Sequence, residues 1–206
     1  MVLPGGGMGL ETVCRVKLNS EISEGKAHSG DGELEFRGEF KIRWKWSDLS
    51  SVSCFDGVLT AVKGAELAEF HIGDAATKWE HAIKNPKSRL DKLGLKPNHT
   101  YAAWGEFDDS FPAELNQVAG EPSSEGPFDI VFVRLASQDD LTDLTKARDA
   151  IASNGGVWAV WLKGKKELTE THIRAYALAN GLVDVKVARF SDTLSALKLV
   201  IPVANR

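Results

Sequence analysis

An antiparallel β-rich module followed by an α/β sheet (α+β, then α/β) is the fold class that three features of this 206-residue sequence predict. The first is the stretch 128–162, where the apolar runs FDIVFVRLA and VWAVWL flank an amphipathic segment. Strands that are apolar on both sides need cover on both faces, which parallel strands joined by a helix receive. The second is the rhythm of residues 13–73, short alternating runs broken by Asp56-Gly57 and Lys63-Gly64, as an antiparallel meander requires. The third is the end of the chain. Strands at 183–190 and 196–203 are joined by Ser191-Asp192-Thr193, a link short enough only for an antiparallel pair.

Composition narrows the classes of function. A content of 43% hydrophobic and 26% charged residues is that of a soluble globular protein. The net charge of −4 offers no basic footprint for nucleic acid. No apolar run approaches the roughly 20 residues of a transmembrane helix. Residues 1–12, glycine-rich and lacking the basic and apolar regions of a secretory signal, are expected to form a flexible tail, with Met8 as an alternative start. Cys14 and Cys54 are too few for a disulfide framework and are expected as free thiols in the cytoplasm. The five histidines show no zinc-type spacing with cysteine, so no metal is expected.

Within the first module, 13–85, candidate strands lie at 14–18, 33–37, 41–46, 52–55, 58–62 and 67–72. In the third of them Ile42, Trp44 and Trp46 share one face. Residues 75–84 read as a helix with Asp74 as N-cap and Trp79, Ala82 and Ile83 as its buried stripe. This strand rhythm, the Trp-rich central strand, the Ser47-Asp48-Leu49 step and the closing helix with Trp79 resemble the bacterial pleckstrin-homology-like fold over residues 11–85. The resemblance draws attention to a basic row, Arg37, Lys41, Arg43 and Lys45, because such folds sometimes bind phosphoinositides through basic strands. Each cation near a membrane contributes about 1 kcal/mol. Glu33, Glu35 and Glu39 lie close by in sequence, and charge on the outer face of an alternating strand is ordinary solvation.

Residues 86–97 form a connector whose Leu90, Leu93 and Leu95 can pack a short helical turn; it is not a flexible Gly/Ser linker. The second module, 98–206, opens with a strand at 100–104, a helix at 110–118 and a loop at 119–127. In the organising stretch Leu141, Leu144, Ala147 and Ile151 recur at helical spacing. Ser137 and Asp140 resemble a capping box, and Asn154-Gly155-Gly156 is expected to stop the helix. A further helix at 167–180 ends before Gly181. An α/β sheet closing in a hairpin resembles the C-terminal half of class I S-adenosylmethionine-dependent methyltransferases. LGLKP, NGGVWAVW and FSDTLSALKLVIP more closely resemble a bacterial family of unknown function with a shortened, degenerate form of that Rossmann-like domain, over residues 93–203.

The resemblance implies a cofactor turn after the first strand, where glycines let backbone approach the ligand. Here that position reads Trp104-Gly-Glu-Phe-Asp-Asp-Ser-Phe-Pro112, with Gly105 alone surviving. Glu106, Asp108 and Asp109 would repel the methionine carboxylate. Between 115 and 128 there is scarcely room for the strand whose acidic residue takes the ribose. After Leu135 comes Ala-Ser-Gln-Asp-Asp, not Asn/Asp-Pro-Pro-aromatic. No cofactor is therefore expected, and catalysis is disfavoured. The expected function is a non-catalytic binding or interaction scaffold for a protein partner. One alternative is a small-ligand sensor or enzyme with a rebuilt cleft. That cleft would use Trp104, Gly105, Asp108 and Asp109 after the first strand and Ser137, Gln138, Asp139 and Asp140 after the next. Lys163 and Asp192 would complete a mixed-charge set suited to a cation or zwitterion, although helix capping and solvation also account for these residues. A second alternative is a membrane-surface adaptor acting through the basic row.

Overall fold

Seven antiparallel strands build the first sheet of the computed structural model, which describes residues 10–206. They are β1 (Leu10–Leu18), β2 (Glu21–Gly30), β3 (Glu33–Arg37), β4 (Lys41–Lys45), β5 (Ser51–Phe55), β6 (Val58–Lys63) and β7 (Glu66–His71), in the order β4-β3-β2-β1-β7-β6-β5. β1 pairs with β2 along its whole length and with β7 through Arg15–Leu18, so the sheet curls into a half-barrel. Val16, Leu34, Phe36, Leu59 and Phe70 fill its interior, and α1 (Ala75–Lys84) closes it with Trp79, whose ring centroid lies 6.5 Å from that of Phe70.

β1 begins inside the expected tail; residues 1–9, including Met8, lie outside the described residues. β2 was not predicted. Its buried positions are Ser23, Ala27, Ser29 and Gly30 rather than large apolar groups, so the strand lacks an apolar alternation to read. The reason is close approach: a Cβ on Gly25 would lie 2.3 Å from the Arg37 carbonyl oxygen. Asp74 does not act as a side-chain cap on α1, contrary to the expectation; it adopts helical dihedrals and makes no capping hydrogen bond.

The chain divides into two compact units, one ending at Lys87 and the other running from Ser88 to Arg206. The second comprises α2 (Arg89–Leu93), β8 (Tyr101–Trp104), α3 (Ser110–Ala119), β9 (Phe128–Leu135), α4 (Thr142–Ala150), β10 (Ile151–Leu162), α5 (Glu170–Ala179), β11 (Val183–Arg189) and β12 (Leu194–Val200). Its sheet runs β11-β12-β10-β9-β8, with β8, β9 and β10 parallel and β12 antiparallel to both its neighbours. The buried residues of α4 and α5 pack with Val131, Val133 and Val157 on one face. Those of α2 and α3 pack with Ile130, Phe132 and Trp158 on the other. The indole N–H of Trp158 donates to the Leu93 carbonyl at 2.8 Å and ties α2 to the sheet.

The handedness of this unit is unusual. β8 to β9 and β9 to β10 step the same way across the sheet, yet α3 covers one face and α4 the other. Two crossovers in one direction over opposite faces have opposite hands, and only one can obey the strong right-handed rule. Asn154-Gly155-Gly156 do not stop the helix, contrary to the expectation. The helix ends at Ala150, and the three residues lie within β10, beside the register shift between Ile151 and Gly156. A Cβ on Gly155 would meet the Phe128 carbonyl oxygen at 2.7 Å, so glycine is needed for strand contact rather than for a helix stop. Among the described residues no helix is long and apolar enough to cross a membrane.

Candidate functional site

The loops leaving β8, β9 and β10 share the carboxyl edge of the second sheet, and the β11–β12 turn joins them because Leu194 pairs with Leu162. Ligands favour this edge in open α/β sheets. Gly105 follows β8 with φ +91°, and an added Cβ would stand 2.9 Å from the Arg134 Cβ on the neighbouring strand. Glycine is thus required there by β9. The chain then folds back: the Phe107 ring packs 4.8 Å from Phe111 and 5.8 Å from Phe190, centroid to centroid.

Asp108 is committed to this local structure. Its Oδ1 accepts the Phe111 N–H at 3.0 Å in the first turn of α3, and Arg89 donates to its Oδ2 at 2.7 Å. The Arg89 guanidinium also reaches Glu114 at 2.7 Å and lies 4.9 Å and 4.7 Å from the Phe111 and Phe190 ring centroids. Hydrogen bonding from Arg89, outweighing the opposing effect of burial and helped by Ser110, pulls the Asp108 carboxyl down to about 2. A depressed folded-state value means stability that is complete above the unfolded value of 3.8 and is lost as pH falls through about 2. Because the side chain is 41% exposed, screening leaves about 1 kcal/mol of this. Acid titration of the Asp108→Asn variant should therefore lack that part of the wild-type stability loss between pH 4 and 2 (~1 kcal/mol), as read by urea unfolding.

The other expected cleft residues are held in short local contacts. Asp140 Oδ2 accepts the Ala136 and Ser137 N–H groups, each at 2.8 Å, and the hydrogen bond from Ser137 leads the causes that lower its carboxyl. The Ser137 hydroxyl also donates to this carboxylate at 3.3 Å, so half of the expected capping box forms, through Asp140 alone. Gln138 Nε2 donates to the Glu167 carbonyl at 2.7 Å. Asp139 and Asp109 are exposed. Lys163 Nζ donates to the Ser191 carbonyl at 3.1 Å, and Asp192 pairs with Arg189. Trp104 is half-buried against the core on the α4 and α5 face. The residues share one edge, where Asp108, Ser137, Gln138 and Asp140 are each engaged by nearby groups.

Two residues that sequence reasoning passed over hold central positions. Arg89 has no visible signal, because its partners lie some twenty residues away along the chain. Arg134 does have one: it is the only charge in the apolar run VFVRLA. Its Nη1 donates to the Leu135 carbonyl and, at 3.3 Å, to the Val160 carbonyl. Burial lowers its pKa, with the charge of Asp140 acting the other way, and among the described residues no carboxylate pairs with it directly.

In the first unit the basic row is largely engaged by acids. Arg43 lies 2.9 Å from Glu33 and 3.4 Å from Glu35, and Arg37 lies 3.5 Å from Glu35. Lys41 stands opposite Arg37, and Lys45 opposite Glu33. Among the described residues no group of three or more His, Cys, Asp or Glu side chains could hold a metal ion.

No protein-family model matches the chain, and no curated protein matches it. Solved structures similar to it include several methyltransferases and a pre-rRNA processing protein. An S-adenosylmethionine-dependent methyltransferase from Aquifex aeolicus aligns at TM-score 0.47 and 12% identity over 59% of this chain and 93% of its own. A magnesium protoporphyrin IX methyltransferase from Synechocystis with bound S-adenosylhomocysteine aligns at 0.41 and 11% over 55% and 78%. The fibrillarin pre-rRNA processing protein of Methanococcus jannaschii aligns at 0.37 and 12% over 90% and 97%. At such scores and identities these likenesses carry no argument about chemistry.

Proposed function

We propose that the chain is a non-catalytic binding protein of the cytoplasm, with a pleckstrin-homology-like module followed by a methyltransferase-like domain that has lost its cofactor half. The observation that carries this reading is where the second sheet stops. β8 is its edge, and among the described residues no strand pairs with the free side of β8. The strand whose acidic residue would hold a ribose therefore has no counterpart. The opposite-handed crossovers fit the same history. If α3 once led outward to strands beyond β8, its crossover ran in the direction opposite to that of α4, and both were right-handed. Removing those strands leaves α3 on its face while the chain returns to β9. The turn that should cradle a nucleoside cofactor is instead occupied by Phe107 and by the Arg89–Asp108 pair. The engagement of Arg37 and Arg43 by glutamates weighs against a membrane adaptor acting through that row.

Isothermal titration of the full chain with S-adenosylmethionine and S-adenosylhomocysteine tests the reading. A ligand at a hundred times its dissociation constant would stabilise the fold by about 2.7 kcal/mol, so thermal shift gives a second readout. Neither compound should bind. Saturable binding of either compound would refute the proposal.

A further inference from the structure

The geometry points to a binding site for a small oxyanion, a carboxylate or phosphoryl group, at Arg134 on the carboxyl edge of β9. This deepens the binding role proposed above by naming a ligand class. The Arg134 guanidinium has unfilled hydrogen-bond capacity. A guanidinium has five donors in a planar fork. Nη1 of Arg134 is taken by the Leu135 and Val160 carbonyls, while among the described residues Nε and Nη2 make no hydrogen bond. Neither is sealed in the protein interior. The engaged nitrogen fixes the plane of the group and leaves free the Nε–Nη2 edge, two parallel N–H bonds matched to two oxygens of one anion.

Its place in the fold supports the same conclusion. Residue 105 follows β8 directly beside Arg134, where the neighbouring position is bare backbone at Gly105. The loop after β8 leads to α3 on one face of the sheet and the loop after β9 leads to α4 on the other, so the two part at this point. Diverging loops at the carboxyl ends of parallel strands are where α/β sheets take ligands. The charge is half-buried and, among the described residues, has no paired carboxylate, which sets it apart from Arg89, Arg43 and Arg174, each held by acids. Among the described residues Asp140 is the acidic group that acts on it, and its Oδ2 already takes the Ala136 and Ser137 N–H groups. The partly desolvated cation is the costly element, and an incoming oxyanion would neutralise it.

The test uses the full chain, with sodium phosphate and sodium acetate each titrated against sodium chloride at matched ionic strength. The side-chain Nε–H resonance of Arg134 and the unfolding temperature are followed. At least one oxyanion should shift that resonance saturably and raise the unfolding temperature, and comparison of the two separates a phosphoryl from a carboxylate preference. Arg134→Lys keeps the charge but loses the fork and should weaken binding at least about tenfold; Arg134→Gln should abolish it. The absence of a saturable shift with both anions, or binding unchanged in both variants, would overturn the site. If the variants do not fold, the wild-type Nε–H titration decides alone. Failure here leaves the adenosyl titration untouched, so the two readings fail separately.

Discussion

Replacing Arg89 with methionine should lower the stability of the Ser88–Arg206 unit by about 3 kcal/mol, although methionine fills much of the same volume. The guanidinium, with its side chain 14% exposed, is the common partner of Asp108, Glu114, Ser110 and the rings of Phe111 and Phe190. Its removal takes away several charge-assisted hydrogen bonds and two cation–π contacts, and leaves two carboxylates near each other without their cation. Because those carboxylates are 41% and 38% exposed, water recovers part of the loss, which keeps the effect near the lower end for a broken buried pair. Asp108→Asn, which weakens one arm only, should cost about 1 kcal/mol. Urea unfolding followed through amide exchange in β9 and β10 measures both. An Arg89→Met variant within about 0.5 kcal/mol of wild type would show that the clamp is ornamental.

In the other unit, Gly25→Val should be at least as damaging, at about 3 kcal/mol or more. Gly25 lies in β2, opposite Cys14 of β1. The nearest atoms to an added Cβ belong to backbone: Arg37 O at 2.3 Å, Arg37 C and Gly38 Cα each at 2.8 Å. No rotamer change can relieve such a clash, so the β2–β3 pairing must shift, and with it the register that buries Leu34 and Phe36. Gly32→Ala is the matched control: its φ is +82° but nothing among the described residues lies within 4 Å of the new atom, so only the backbone term of about 1 kcal/mol is expected. Equal losses in the two variants would contradict the crowding argument.

These two residues also mark what the sequence could and could not disclose. Elements with large alternating or periodic apolar groups were legible. The strand holding Ile42 and Trp44, the helix with Trp79 and the central run 128–135 all lie where hydrophobic periodicity places them. β2 was not, because its buried positions hold only Ser, Ala and Gly, and small residues carry little periodic signal. The Asn154-Gly155-Gly156 error has the same root: a glycine required by strand contact looks like one required by a turn. At the site, Gly105 and the acidic residues after it could be named from the sequence, but their partners could not. Asp108 meets Arg89 only because α2 packs beside α3. Arg134 carried a readable signal, one charge in an apolar strand, whose meaning depends on which strand end it occupies.

The most direct measurement of the central claim is amide hydrogen exchange across residues 101–109 of the full chain, with and without millimolar S-adenosylhomocysteine. If β8 is the edge of the sheet and the loop beyond it is committed to Phe107 and Asp108, exchange in this segment should be the same in both conditions. Slowing confined to residues 104–109 on addition of the compound would show that a nucleoside cofactor settles there, and would contradict the account.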